Sequence, residues 1–249
     1  MHSLYASVRN EVVKMALKKK NRFFLLMTFA LPIGAGLLMG NLQNGLGLGV
    51  VTSGEFPIFV LGLLTVFFLP LFVFMGSADQ FSGELGDRML KNALVRPISR
   101  FKVFASKQAA LAISIAAYLL VALLGSAGAA LFLGGGLELG NAIDWLTAYA
   151  AAFLPLLSLS VTAVFLAQFF ASGIGALTVS VLLYVALKAG AFVLPQLNAY
   201  SPTAYLNWHT LWLGDPLPAG QIGSVFMFLA ACCILLFTAG FYFFDKKEL

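Results

Sequence analysis

Residues 56–75, FPIFVLGLLTVFFLPLFVFM, carry no charge and only one hydroxyl, Thr65. About 20 residues of α-helix cross the hydrocarbon core of a bilayer. The stretch therefore reads as a spanning helix. Pro70 inside it is tolerable, because neighbouring helices can satisfy the carbonyl that a proline frees. Five runs of the same character lie around it, at 23–39 (with Pro32), 109–133, 145–169, 174–194 and 222–244. The tightest join is the turn at Ala171 to Gly173.

Composition agrees. The 249 residues are 61% hydrophobic and 10% charged, against about 25% charged in ordinary soluble domains. Too few polar groups remain to coat a water-soluble surface. We expect one all-α integral membrane domain over 1–249, with no separate soluble domain. The formal charge of +5 sits beside the spans, so it argues for membrane orientation rather than for nucleic acid as a partner. Cys232 and Cys233 are adjacent in an apolar run and suggest neither a disulfide framework nor a zinc site. A long charged region precedes the first apolar run with no small-residue cleavage site after it, so no cleaved signal peptide is expected.

Charge sets the orientation. Arg9, Lys14, Lys18, Lys19, Lys20 and Arg22 precede the first span. Arg88, Lys91, Arg96, Arg100, Lys102 and Lys107 lie between the second and third, and Lys246 and Lys247 follow the sixth. The alternate links carry only Glu55, Glu138, Asp144 and Asp215. Cytoplasmic loops are enriched in Lys and Arg. The distribution implies a multi-pass cell-membrane protein with both termini in the cytoplasm, and only an even number of spans keeps the bases together.

Residues 1–22 read as an amphipathic interfacial helix. Leu4, Val8, Val12, Met15 and Ala16 form its apolar stripe, and Arg9, Glu11, Lys14 and Lys18 lie largely off it. A solvated basic tail is the plainer alternative. The polar stretch 77–107 also has a helical look, with Leu85, Met89, Leu90 and Leu94 on one face. Pro97 stops that helix and biases Arg96 toward extended backbone. Ser99 is placed to cap a new helix running from Arg100 into the third span.

Glu84, Leu90, Leu94, Pro97, Ser99, Arg100 and Lys107 resemble the signature of ABC-2-type permease subunits. In that family an acid precedes a pattern ending L-x-x-P-x-S-R, here Leu94 to Arg100, with a lysine beyond. This chain has Arg88-Met89 where many members carry Gly-Thr. The six-span layout and polar loop are similar too. The resemblance implies a permease pairing with a separate ABC ATPase subunit and a second permease chain. ATP and Mg would sit on the ATPase, and this chain would hold no cofactor and be no enzyme; its sequence has no Gly-x-x-x-x-Gly-Lys-Ser/Thr loop. Stretch 77–107 would be the coupling helix and its loop, with Glu84, Asp87, Arg88, Leu90, Leu94, Pro97, Ser99, Arg100 and Lys107 as the coupling set. Glu84 would orient the ATPase contact, and Arg100 and Lys107 would hold the loop against the next span or the headgroups. For those two bases, plain orientation charges are an equal alternative. The cargo expected is an amphipathic or hydrophobic drug, peptide antibiotic or lipid-like molecule, expelled from the cell.

Four further residues are pathway or gate candidates. Lys188 lies inside the fifth span, close enough to its outer end to snorkel. Tyr205 and His209 belong to the aromatic outer link 195–221, an expected gate region, and Gln168 ends the fourth span. Thr28, Phe67, Ser158 and Thr162 are weaker pathway guesses. A membrane anchor or sensor that moves nothing is the alternative function. An intramembrane serine protease, with Ser126 in Gly125-Ser-Ala-Gly128 and His209 as base, is a minor one; small residues there equally mark close helix packing.

Overall fold

The computed structural model describes residues 2–46, 52–86, 99–132, 139–193, 196, 200–213 and 216–247. Among them there is no strand, and six helices are long and apolar enough to cross a membrane. Helix α1 is His2–Leu17, and a bend at Lys18 separates it from α2, Lys19–Leu46. The second span, α3, runs without a break over Phe56–Gly86. Then come α4 (Arg100–Phe132), α5 (Leu139–Ala167), α6 (Gly173–Val193), a 3-10 segment (Pro202–Trp212) and α7 (Ala219–Asp245).

The helices alternate in direction, and side chains at both ends record it. At one end Trp145 Nε1 of α5 donates to Gly54 O at 2.8 Å, and Tyr149 Oη donates to Pro57 O at 3.2 Å. At the other, Ser82 Oγ of α3 donates to Ala167 O at 2.7 Å, and Arg100 of α4 reaches the carbonyls of Asp245 and Lys247 past α7. The first is the acidic end, with Glu55 and Asp144. The second is the basic end, where α1 and the tail of α7 both lie.

Helices α3, α4 and α5 are central, whereas α2, α6 and α7 bury little of their surface. The core between them holds Phe56, Leu61, Phe72, Tyr118, Tyr149 and Leu156. A second cluster at the basic end gathers Met15, Phe81, Phe104, Leu111 and Phe244. Backbones meet where glycine allows it. A Cβ on Gly125 would lie 2.8 Å from Phe29 O, and one on Gly36 would lie 2.9 Å from Ala129 Cβ. Small residues therefore let α2 lie close on α4.

Helix α3 contains two π-helical turns, Leu64–Phe68 and Asp79–Gly83. The first has a visible cause. In an α-helix the N–H of residue 70 would bond Val66 O, but residue 70 is proline and has none. Tyr184 Oη of α6 donates to that carbonyl instead, at 2.6 Å. Each π turn inserts one residue and rotates the remainder of the helix by about 100°.

The stretch 77–107 begins and ends in helices that belong to the spans, the second of them starting at Arg100 as the Ser99 cap implies. Residues 77–86 continue α3 and are mostly buried, and 100–107 are the first turns of α4. The stripe on α1 is also shifted. Met15 is buried and Ser7, Val8, Glu11 and Val12 are half-buried, while Leu4 and Ala16 are exposed.

Candidate coupling site

Helices α1, α3 and α4 meet at the basic end through charge. Helix α4 starts where Ser99 caps it: Lys102 N donates to Ser99 Oγ at 3.4 Å and Val103 N to Ser99 O at 3.2 Å. Two turns on, Lys107 is fully buried. Its ammonium donates to Glu84 Oε2 at 2.5 Å and to Glu11 Oε2 at 3.3 Å. Lys14 donates to Glu84 Oε1 at 2.7 Å and to Glu11 Oε1 at 3.0 Å. Two carboxylates and two ammoniums thus close a neutral ring across three helices. Mutual pairing offsets the desolvation of each member. Burial opposes the charge on Lys14, but its bonds to Glu84 and Glu11 outweigh this and hold its pKa above the usual lysine value.

Other contacts fix the frame of the ring. Ser7 Oγ of α1 donates to Ser106 Oγ of α4 at 3.0 Å. Lys18 and Lys20 stand 3.9 and 3.8 Å from Asp79 of α3. The last turn of α3 is pressed against the turn before α6, since a Cβ on Gly86 would lie 2.9 Å from Ala171 O. The chain therefore enters the stretch 87–98 from an anchored helix end.

The structure brings together only some of the expected coupling residues. Glu84 and Lys107 are paired. Glu84, expected to orient the ATPase contact, has its carboxylate bonded to Lys14 and Lys107 inside the chain. Lys107 is held against α1 and α3, not against headgroups. Arg100 is engaged with the carbonyls ending α7. Asp87, Arg88, Leu90, Leu94 and Pro97 lie outside the described residues. Glu11 and Lys14 were not singled out by sequence. The signal was there for Glu11, an acid within a basic helix, and it is the same signal that marks Glu84.

The pathway candidates do not cluster. Lys188 is half-buried on the face of α6 that carries Leu177, Val181 and Tyr184. Gln168 is buried at the basic end, with Nε2 on Val164 O at 3.2 Å. Phe67 is exposed, Thr28 and Thr162 bond carbonyls of their own helices, and Ser158 is buried. At the acidic end the 3-10 segment packs on α5, with Leu206, Trp208 and His209 buried. Tyr205 stacks on Phe228 of α7 at 5.4 Å. Burial pushes the His209 imidazole down to about 4, against a hydrogen bond to the Leu206 backbone that raises it. Ser126 shares a hydrogen bond of 2.8 Å with Tyr149 Oη and donates to Leu123 O. No imidazole is among its partners, so the arrangement has no nucleophile and base. Among the described residues no group of His, Cys, Asp and Glu is placed to hold a metal.

The ring ties the end of α3 and the start of α4, which flank residues 87–98 in sequence, to α1. A search of curated proteins finds no match to the chain. A family model described as ABC-2 family transporter protein matches residues 7–188, from α1 into α6, including all four members of the ring. That match covers well over half of the sequence and accompanies six membrane-length helices; the chain belongs to the ABC-2 family of transporters.

Proposed function

We propose that this permease is driven by a separate ATPase docking on residues 87–98, and that it exports an amphipathic or hydrophobic cargo as a dimer. The observation that carries the reading is the ring of Glu11, Lys14, Glu84 and Lys107. It joins the two helices that bracket the docking stretch to the N-terminal helix. Nucleotide binding would draw two such stretches together, favouring one of two packed states of the bundle. Asp87, Arg88, Leu90, Leu94 and Pro97 would form the ATPase contact. Glu84 and Lys107 would set its footing rather than touch the partner. Helix α1 would lie at the cytoplasmic interface, and Lys188, Tyr205, His209 and Gln168 would act at the pathway or its ends.

The test is reconstitution with the cognate ATPase in proteoliposomes. Glu84→Gln and Arg100→Ala should lower cargo-stimulated ATPase activity while leaving membrane insertion intact. The double reversal E84K/K107E should recover part of the loss. Intact coupling in both single variants would sink the mechanism. A protein that recruits the ATPase but moves no cargo would instead be an anchor.

A further inference from the structure

Lys188 is the one base that the charge asymmetry of the chain does not explain. Every other Lys and Arg of the sequence precedes the first span, lies between the second and third, or follows the sixth. Bases are retained on the cytoplasmic side, so a lysine in the fifth span runs against that orientation. An ionisable side chain inside a span is costly and marks a substrate or ion path by default. Two contacts fix its depth. A Cβ on Gly173, the first residue of α6, would lie 3.4 Å from Gly83 Cα, and Tyr184 Oη donates to Val66 O at 2.6 Å. With about 1.5 Å of rise per residue, these antiparallel anchors place Lys188 level with residues 62–68 of α3. That level is roughly 9–18 Å inward of Phe56, inside a hydrocarbon core about 30 Å thick.

The side chain is half-buried and continues the stripe of Leu177, Val181 and Tyr184, the face of α6 that packs on the bundle. Outward of Tyr184, α3 and α6 stand apart. Helix α6 packs on residues 69–83 of α3 rather than on Phe56–Leu63, and a Cβ on Gly62 would meet nothing within 4 Å. The 3-10 segment packs on both α6 and Leu64–Phe68, so a third element meets the other two at this depth. Among the described residues no carboxylate or carbonyl bonds the Lys188 ammonium. Glu55 and Asp144 belong to the rim, beside Phe56 and Trp145. A charge at this depth is stabilised by a counter-charge brought to it. Apolar side chains of the same stretches, Leu63, Phe67 and Leu187, are left exposed. One ammonium amid exposed apolar surface suits a molecule with an anionic head and a hydrocarbon body, and it repels a cationic one.

We propose that Lys188 binds the anionic head, a carboxylate or phosphate, of an amphiphile lodged between α3, α6 and the 3-10 segment. The amphiphile is either the cargo or an anionic membrane lipid. The proposal rests on the reading of Lys188 as a pathway residue and adds the charge that its ligand carries. Its test needs no ATPase, so it and the coupling mechanism can fail separately.

The probe is undecanoic acid tagged with dansyl at its far end, titrated into the full chain in phosphatidylcholine nanodiscs at about pH 8, where a carboxyl is ionised. Energy transfer from Trp145, Trp208 and Trp212 reports the dansyl group on the protein apart from probe dissolved in lipid. The acid should bind saturably. Its methyl ester, alike in all but charge, should bind about tenfold more weakly or worse, the scale of one lost charge-assisted hydrogen bond. Lys188→Gln should weaken the acid by the same factor and leave the ester unchanged, and Lys188→Arg should restore binding of the acid. Phosphatidylglycerol built into the nanodisc that blunts the titration identifies a lipid site; no blunting identifies an anionic cargo. Equal binding of acid and ester by the unaltered chain, or binding of the acid by Lys188→Gln as tight as before, would overturn the proposal.

Discussion

Lys107 shows how much one residue can be asked to hold. Its side chain is inaccessible to solvent, and its two carboxylate partners come from two other helices. Removing one member of a buried ion pair strands the other, at about 3–5 kcal/mol. Lys107→Met should therefore cost several kcal/mol, and so should Glu84→Gln. The double variant should cost clearly less than the sum, because no charge is then left alone at the Glu84–Lys107 contact. Denaturant titration of the purified protein measures the cycle, and simple additivity would mean that the pair is not coupled. Lys14 is more accessible, so its loss should cost less. His209 makes a different prediction. Its folded pKa is about 4, below the ordinary 6.5. Between those values the unfolded chain binds more protons than the folded one, so stability rises with pH across that window. It should be complete above about pH 6.5 and fall by on the order of 3 kcal/mol as pH drops toward 4. His209→Asn should flatten the profile of thermal midpoints there. An unchanged profile would mean that the imidazole is accessible to water.

At the scale of the element, α3 carries the difference between what could be read and what could not. Its apolar run was legible, and so was Pro70. The π turns were not, because a one-residue insertion depends on tertiary partners such as the Tyr184 hydroxyl. Helical periodicity over 77–94 put Leu85, Met89, Leu90 and Leu94 on one face and said nothing of what Glu84 meets. In the folded chain Glu84 meets Lys107. On α1 the stripe through Val8, Val12 and Met15 was legible, but hydropathy cannot foresee that Glu11 is drawn in beside it by a lysine on α4. By contrast, the Ser99 cap and the start of α4 were legible, since they need only local chemistry. Tyr184→Phe should loosen α6 from α3 by about 0.6–1.7 kcal/mol, the range of interhelical hydrogen bonds in membranes. Gly125→Val tests helix contact more severely. A Cβ there would fall 2.8 Å from a backbone carbonyl that cannot move alone. The variant should separate α2 from α4, seen as loss of an engineered cysteine cross-link between the two helices. Gly128→Ala, in open space on the same helix, should leave the cross-link intact.

The whole molecule is arranged by charge along its long axis. Both ends of the chain reach the basic end, where Lys14, Lys18, Lys20, Arg100 and Lys107 gather, and the 3-10 segment covers the end bearing Glu55 and Asp144. The alternation of six helices was legible because the Lys and Arg of the sequence fall in alternate links, and those among the described residues that make ion pairs lie at one end. The outer covering was legible only as a run of aromatics, because its burial depends on α5, far away in sequence. A bilayer converts this axial asymmetry into orientation, since Lys and Arg are retained on the cytoplasmic side. Single cysteines report the result once Cys232 and Cys233 are replaced by alanine. A cysteine at Asn207, exposed at the acidic end, should react with a membrane-impermeant maleimide on intact cells. Cysteines at Tyr5 and Lys246, exposed at the basic end, should react only after permeabilisation. The reverse pattern would place the stretch 87–98 outside the cell, beyond the reach of any ATPase, and would overturn the coupling mechanism with the orientation. Labelling of Tyr5 and Lys246 from opposite sides would instead break the even count of spans, and with it the placement of the start of α4, α1 and the end of α7 at one end.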